Sequence, residues 1–284
     1  LHEMEALRPV MESYRVRSVY IGGGTPTSLS AELLSKVAHA AGRLGAKEFT
    51  VEAGRPDSIT EGKLRSMKTH GVTRISINPQ SMKEHTLELL GRKHTVEEIR
   101  EKFMLARTLG FDNINMDLIA GLPEETLEDF KETLREVEAL KPDSITVHTL
   151  VIKRASRLRK EQLEQGGEMR EEDACIEPMQ KEAEQFCRVH GYEPYYMYRQ
   201  KNKAHTTRNT NQENVAYAKP GKECLYNIFI MEELQSILAL GSGGSSKIVF
   251  PEENRMERVE NVKSVDDYIG RIDEMIRRKK ESWR

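Results

Sequence analysis

The chain has 284 residues, and its 44 Lys and Arg residues against 46 Asp and Glu residues leave a formal net charge of −2. This balance creates no field that would attract nucleic acid or an anionic membrane, so a small-molecule substrate is favoured. No apolar run approaches the roughly 20 residues that cross a bilayer, and the first residues have no signal-peptide pattern. We therefore expect a cytoplasmic protein with no nucleic-acid partner and no membrane insertion.

The three cysteines, Cys175, Cys187 and Cys224, lie far apart in the sequence. Their spacing predicts neither a disulfide framework nor a CxxC metal site, so we interpret them as structural thiols and expect no metal ligands in this chain. The sequence opens at Leu1, without an initiator Met, inside an amphipathic stretch. We interpret the chain as a piece of a longer protein.

Short apolar runs rich in β-branched residues alternate with segments of helical periodicity up to residue 150. The runs predict strands at residues 16–21, 49–53, 72–77, 114–119 and 144–150. The segments between them predict crossover helices, whose ends are marked by a capping box of Thr95 with Glu98, by Gly110 and by Pro142.

Such alternation predicts an α/β fold, with a parallel sheet that is either open or closed into a complete or partial barrel. Ligands bind at the carboxyl ends of the strands in both arrangements. We therefore look for functional residues at this edge of the predicted sheet.

The pattern changes after Leu150, where a charged region precedes a helix that runs to about His190 and is closed by Gly191. We place a division between residues 1–152 and 153–284. The second part predicts strand and helix pieces at 192–199 and 226–250, a polar loop at 201–214, and a docked terminal helix at 265–280.

Three consecutive glycines, Gly22, Gly23 and Gly24, follow the first predicted strand and lead into Thr25. Without a Cβ, they expose backbone N–H and C=O groups to any ligand that docks there. The run matches neither the GxxxxGK[ST] nor the GxGxxG phosphate-binding pattern. A simple Gly-rich turn explains the run about equally well when it is taken alone.

Polar side chains also occur at or near the ends of the next strands, including Glu52, Gln80 and Asp117. A carboxylate in an apolar strand is costly unless it is paired or faces a solvated site. Glu52 and Asp117 could each form a structural ion pair, for instance with Arg74 or Arg92. Taken together with the glycines, they predict one ligand-binding cleft.

Four segments of the chain resemble the oxygen-independent coproporphyrinogen III oxidases, a family of radical S-adenosylmethionine (SAM) enzymes. They are YIGGGTPT at 20–27, VEAGRP at 51–56, RISINPQ at 74–80 and NMDLIAGLP at 115–123. The resemblance is strongest to the bacterial coproporphyrinogen dehydrogenase branch and continues through NVAYAKPGKE at 214–223 to the end of the chain.

The resemblance implies a partial (β/α) barrel of parallel strands with a C-terminal α+β extension. Residues 1–152 would be the radical SAM core without its first strand and cluster loop, and 153–284 would hold the remainder of the core and the extension. The family's SAM-binding pattern falls on nine positions of this chain: Gly23, Gly24, Thr25, Glu52, Gln80, Arg92, Asp117, Val151 and Ser245.

The sequence departs from the family in two places. The CxxxCxxC loop that ligates a [4Fe-4S] cluster does not occur in the chain, so its ligands are expected upstream of Leu1 and the chain alone is expected to be inactive. The polar residues 203–212 are an insertion relative to the family pattern, and His205 within them is interpreted as a solvated side chain.

The implied activity is the oxidative decarboxylation of coproporphyrinogen III propionates to vinyl groups through a 5′-deoxyadenosyl radical, in heme biosynthesis. It needs SAM, a cluster, a porphyrinogen substrate and an electron donor. Candidate partners for the substrate carboxylates are Arg55, Arg74, Arg154 and Arg199, and tyrosines at 192–198 could line a tetrapyrrole pocket or pack in the core. A heme-binding chaperone-like relative and a noncatalytic SAM-binding module remain as alternatives.

Overall fold

The structure, a computed structural model, describes residues 1–149, 176–199 and 213–283. Two sheets are formed by nine strands within these ranges: β1 (Ser18–Ile21), β2 (Glu48–Gly54), β3 (Arg74–Gln80), β4 (Ile114–Ala120), β5 (Ser144–Thr149), β6 (Glu193–Arg199), β7 (Glu213–Ala218), β8 (Ser245–Phe250) and β9 (Arg255–Glu260). The strands predicted before residue 150 are therefore confirmed, although β1 and β3 each begin two residues later than expected.

The larger sheet has seven strands in the order β1-β2-β3-β4-β5-β7-β6. The strands β1 to β5 are parallel, as the alternating pattern predicts, and the sheet curls into a partial barrel. Antiparallel β7 pairs with β5, and β6 pairs with β7, so strands from beyond residue 153 extend the parallel sheet. The division at residues 152 and 153 stays a prediction.

The helices of the described residues connect or flank these strands: α1 (His2–Ala6), α2 (Arg8–Glu12), α3 (Ala31–Gly42), α4 (Glu61–Thr69), α5 (Glu84–Leu89), α6 (Val96–Thr108), α7 (Leu127–Leu140), α8 (Ile176–Val189), α9 (Leu225–Glu232), α10 (Val265–Gly270) and α11 (Ile272–Ser282). No helix of the described ranges has the length and apolar character needed to span a membrane.

The predicted helix ends have the expected chemistry. The Thr95 hydroxyl accepts the Glu98 N–H at 3.1 Å while the Thr95 N–H donates to Glu98 Oε2 at 2.8 Å, which confirms the capping box of α6. Gly110 follows that helix with φ of 84°, a left-handed conformation that glycine adopts without steric cost. The capping box and Gly110 thus mark the two ends of α6, between β3 and β4.

Alternate residues of the parallel strands divide the sheet into two faces. One set, including Val51, Ile75, Met116 and Ile145, is fully buried in the apolar core that also contains the helix side chains. Successive side chains of a strand point to opposite faces, so the other set lies on the concave side of the partial barrel. That second set is polar in β2, β3, β4 and β5.

The predicted terminal helix is two helices, because the chain leaves helical geometry at Arg271, where φ is −119°. The apolar positions of α10 remain exposed, with Ile269 at 65% of its surface, while Met275 and Ile276 of α11 are buried. Gly270, the last residue of α10, has low helix propensity and so destabilises the helical conformation at this point. The apolar contacts that hold the C-terminal end of the chain to the rest of the protein are therefore made by α11.

A buried polar cluster joins the first helix to the last. Glu3 accepts hydrogen bonds from Lys279 Nζ at 2.5 Å, from the Tyr268 hydroxyl at 2.5 Å and from the Gly241 N–H at 2.8 Å. Asn261 donates to the same carboxylate at 3.0 Å. The Lys279 side chain has no exposed surface, so the pair holds α1 against the C-terminal part of the chain away from water.

Candidate functional site

The glycine segment (Gly22, Gly23 and Gly24) follows β1 and lies beside β2. Gly23 and Gly24 have φ of 82° and 66°, and both are exposed. A Cβ on Gly22 would stand 2.7 Å from the Tyr20 ring and 3.1 Å from the Glu52 carboxyl carbon, too close for any other residue. Gly22 thus has no room for a Cβ between the Tyr20 and Glu52 side chains, while Gly23 and Gly24 leave open backbone groups at the strand end.

Glu52 lies on the concave side of β2 and is held from two directions. The Tyr20 hydroxyl and the Gly23 N–H both donate to its carboxylate. Burial raises the pKa of the Glu52 carboxyl, the nearby Asp117 carboxylate adds to this, and the two hydrogen bonds only partly oppose it. Glu52 is therefore a fixed carboxyl group with a pKa above its ordinary value.

Asp117 projects from the middle of β4 with 19% of its side chain exposed. Asn115 Nδ2 donates to Asp117 Oδ1 at 2.6 Å, and His148 Nε2 lies 3.7 Å from Oδ2. Burial would raise the pKa of the Asp117 carboxyl, but His148, Asn115 and the Arg74 charge outweigh it and keep the pKa below the ordinary value. Asp117 is an ionised acceptor at neutral pH.

A buried hydrogen-bond chain fixes the amide that supports Asp117. Arg74 Nη2 donates to Ser144 Oγ at 3.0 Å, and the Ser144 and Thr146 hydroxyls both donate to Asn115 Oδ1 at 3.0 Å. Since the Asn115 oxygen is occupied by two donors, its NH₂ group must face Asp117. Side chains from three neighbouring strands thus orient this carboxylate.

The open side of the concave face is bordered by an aromatic pair. The rings of Tyr20 and Tyr226 stack with centroids 4.3 Å apart. Tyr226 belongs to α9, which contacts both edge strands of the large sheet, β1 and β6. The N–H groups of Leu225 and Tyr226 donate to the buried Glu48 at 2.8 and 3.2 Å, so a carboxylate caps this helix.

Several buried polar atoms of the concave face have no hydrogen-bond partner among the described residues. They are Thr50 Oγ1, Arg74 Nε, Ser76 Oγ and Asn78 Oδ1. Buried polar groups are nearly always satisfied in folded proteins, by water or by a ligand when not by the chain itself. With the glycine segment and two carboxylates beside them, these groups fit a ligand that is charged and carries several hydrogen-bonding groups, as SAM does.

The predicted site residues divide into those that the structure brings together and those that it does not. Gly23, Gly24, Thr25, Glu52 and Asp117 are grouped, because the glycine segment contacts Glu52, the charges of Glu52 and Asp117 interact, and Thr25 lies against Gly54 at the end of β2. The ion pairs with Arg74 or Arg92 that could have explained these carboxylates are absent from the described residues.

Gln80 and Arg92 lie at the same edge of the sheet but are not joined to this group by a described contact. Gln80 ends β3 with φ of 71° and is partly buried. Arg92 is half-buried beside Arg55 and Asp57, which follow β2, and both burial and the Arg55 charge lower its pKa. Both therefore stay predicted SAM-binding residues.

Of the other two predicted positions, Ser245 lies within the described residues and Val151 does not. Ser245 begins β8 in the separate two-stranded sheet, where its hydroxyl donates to Glu260 Oε1 at 2.6 Å. This contact accounts for the Ser245 side chain within the hairpin, and its role toward SAM stays a prediction. Val151 lies outside the described residues, as do Arg154, Cys175 and His205.

Sequence reasoning missed Tyr20, Asn115 and His148 as parts of the site. The available signal was the alternation of polar residues in strands that were interpreted only as apolar runs. Asn115 and Asp117 are two residues apart, as are Thr146 and His148, so each pair shares a strand face.

The thiols of the described residues do not form a metal site. Cys187 and Cys224 are both buried and free, and burial raises the pKa of the Cys187 thiol to about 12. No group of three or more His, Cys, Asp or Glu side chains in the described ranges is arranged to hold a metal ion. These residues do not fit a [4Fe-4S] cluster, whose iron needs cysteine thiolates.

Comparison with known proteins agrees with this geometry. The Radical SAM superfamily model matches residues 2–137. The oxygen-independent coproporphyrinogen-III oxidase-like protein HemZ of Bacillus subtilis is 42% identical over 279 residues, which cover 96% of this chain and 54% of that protein. The heme chaperone HemW of Bacillus subtilis is 36% identical over 142 residues, covering 48% of this chain and 37% of that protein.

The fold is shared with a solved enzyme. The structure of coproporphyrinogen III oxidase from Escherichia coli, a radical SAM enzyme, matches with a TM-score of 0.69 and 20% identity over 97% of this chain and 62% of that chain. The chain spans about half the length of the HemZ relative and 37% of the HemW relative. The chain belongs to the radical SAM superfamily, in its oxygen-independent coproporphyrinogen III oxidase family.

Proposed function

We propose that the intact protein binds SAM on the concave face and uses it in the oxygen-independent oxidative decarboxylation of coproporphyrinogen III propionates to vinyl groups. The observation that carries the proposal is the convergence of the glycine segment, Glu52 and Asp117 at one place on the parallel sheet. Family membership supports SAM and a [4Fe-4S] cluster as the cofactors.

The residues of this chain would act by binding and orientation. The open backbone of the glycine segment suits the methionyl end of SAM, and the ionised Asp117 and the Glu52 carboxyl can accept hydrogen bonds from ribose hydroxyls or the ammonium group. A hydrogen bond to a charged group contributes about 1.5–3 kcal/mol. Glu52 and Asp117 hold the ligand in this proposal and transfer no proton.

When SAM and the cluster are both bound, they supply radical chemistry that removes a hydrogen atom from a substrate propionate. The substrate carboxylates need cations near the sheet edge. Of the candidates named from the sequence, Arg55 follows β2 and is paired with Asp57 at 2.6 Å, with 38% of its side chain exposed. Arg74 is buried on the concave face and supports Ser144, so it is a poor candidate for this role.

The test is turnover by the full-length protein under anaerobic conditions, with a reconstituted cluster, SAM, a chemical reductant in place of the electron donor, and coproporphyrinogen. The proposal expects methionine, 5′-deoxyadenosine and a vinyl-bearing porphyrinogen as products. If SAM is bound but neither SAM nor coproporphyrinogen is consumed, the proposed reaction is wrong and a noncatalytic SAM-binding role remains.

A heme chaperone is the second candidate, favoured by the match to the heme chaperone HemW of Bacillus subtilis. The same preparation distinguishes the two functions. Heme that stays bound through gel filtration and passes to an apoprotein acceptor, with no conversion of coproporphyrinogen, supports the chaperone. Conversion of coproporphyrinogen with no retained heme supports the oxidase.

A further inference from the structure

His148 lies on the concave face near the carboxyl end of β5, and the proposed function gives it no role in binding SAM. Its Nε2 atom is 3.7 Å from Asp117 Oδ2, and its ring also forms a hydrogen bond with the Asn214 side chain. The side chain is 36% exposed, so it faces the site without being solvated on all sides. It therefore connects the candidate SAM-binding carboxylate to β7.

One neighbour of the ring is the Asp117 carboxylate, which can only accept hydrogen bonds. The other is the Asn214 amide, whose Oδ1 atom already accepts the Thr149 N–H at 3.3 Å. An imidazolium carries an N–H on both nitrogens, so Nε2 always has a proton to direct at Asp117, whereas a neutral ring has one only in one tautomer. The pairing with Asp117 thus suits the protonated ring.

The charges around His148 also favour the proton. Burial lowers the pKa of His148, but the hydrogen bonds to Asp117 and Asn214 and the charges of Asp117 and Glu52 raise it above the ordinary value overall. Farther out, Arg74 lies near Asp117, and the Tyr20 phenol lies against Glu52. One cation among two carboxylates reduces their mutual repulsion.

We propose that His148 is a positioning residue for Asp117, and that its protonated ring holds this carboxylate in the orientation that SAM requires. The proposal rests on the proposed binding of SAM at the concave face. Asn115 donates to Oδ1 at 2.6 Å and the His148 ring faces Oδ2 at 3.7 Å, so the two contacts restrict rotation of the carboxylate and leave lone pairs for the ligand. Loss of the proton removes the positive charge that attracts Oδ2, so SAM affinity falls as the pH rises through the neutral range.

The test is the dissociation constant of SAM for the full-length, cluster-loaded protein, measured by calorimetry at about pH 6 and about pH 8.5. Reductant is left out so that SAM stays intact. His148→Gln removes the titrating ring. His85→Gln is the matched control, because His85 also pairs with a carboxylate, Glu124, at 3.0 Å but is exposed.

The expected result is that H148Q binds SAM about tenfold more weakly than the wild type at low pH and approaches it at high pH, while H85Q follows the wild type throughout. The ammonium group of SAM titrates equally in all variants, so the difference between variants is the informative quantity. In addition, H148Q should cause little further loss in an Asp117→Asn background, since the two residues act together.

Identical pH profiles for H148Q and the wild type would overturn the role of His148 while leaving SAM binding intact. A wild-type protein that binds no SAM at either pH would overturn the proposed function itself, and this inference with it. The same titration therefore distinguishes an error in the role of His148 from an error in the proposed binding of SAM.

Discussion

The hydroxyl of Tyr20 donates a hydrogen bond to the carboxylate of Glu52, although the two residues are 32 positions apart in the chain. The Tyr20 ring is in turn stacked on Tyr226 of α9, with centroids 4.3 Å apart. A residue from the C-terminal part of the chain thus supports the orientation of a candidate ligand-binding carboxyl group on β2.

Tyr20→Phe should therefore weaken SAM binding by about tenfold, because it removes one of the two donors that fix Glu52. The same change should raise the pKa of Glu52 further, since the Tyr20 hydrogen bond lowers it. Glu52 then becomes protonated at a higher pH, so SAM affinity on the acidic side should be lost at a higher pH than in the wild type. Calorimetric titration across the pH range measures both effects.

Tyr198→Phe is the control for this prediction, because Tyr198 is 44% exposed and lies on β6. It should leave SAM affinity and its pH dependence unchanged. Equal affinities for Tyr20→Phe and the wild type would show that the phenol has no part in holding Glu52 for the ligand.

Gly24→Ala separates the backbone strain of the glycine segment from its role in binding. Gly24 and Gly45 have φ of 66° and 63°, and no atom of the described residues lies within 4 Å of a Cβ added at either position. Both substitutions should cost about 1–2 kcal/mol of stability because the left-handed conformation is strained for Ala. Only Gly24→Ala should also reduce SAM affinity.

Gly45 follows α3 and has no contact with the candidate site, so Gly45→Ala is a matched measure of strain alone. Urea unfolding and SAM titration of the two variants give the comparison. If both lose SAM affinity to the same extent, the loss reflects general destabilisation, and the glycine segment does not contact the ligand.

Lys279→Met should destabilise the protein by about 3–5 kcal/mol, because it leaves the buried Glu3 carboxylate without its cation. Lys36→Met breaks the exposed pair with Glu32, in which the side chains are 56% and 76% exposed, and should change stability by at most about 0.5 kcal/mol. Urea unfolding measures both. Similar losses for the two variants would mean that the buried cluster does not join α1 to α11.

Much of the fold follows from local sequence signals. The strands β1 to β5 and the caps of α6 are predictable because apolar runs, capping residues and Gly110 act over a few positions. The terminal helix was predicted as continuous because Val265, Ile269 and Ile276 have helical spacing. Periodicity does not report that Gly270 weakens the helix there or that the first half remains exposed.

The site was predictable only in part for a similar reason. The glycine segment and the carboxylates Glu52 and Asp117 stand out because glycine runs and charges in apolar strands are locally unusual. Tyr20 and His148 do not stand out, since their roles depend on pairing between strands that are distant in sequence. The alternation of residues along each strand predicts which face of the sheet a polar side chain lies on, but it does not predict which side chain of another strand it contacts.

The most direct test of the concave face as a SAM site is the dissociation constant of SAM for the full-length, cluster-loaded protein. It is measured for Asp117→Asn, for Glu52→Gln and for the control Glu128→Gln. Glu128 is a suitable control because it pairs with Arg135, an exposed helix residue. We predict affinity losses of at least about tenfold for the first two variants and no change for the control. Wild-type affinity in both Asp117→Asn and Glu52→Gln would contradict the account, because neither carboxylate would then hold the ligand.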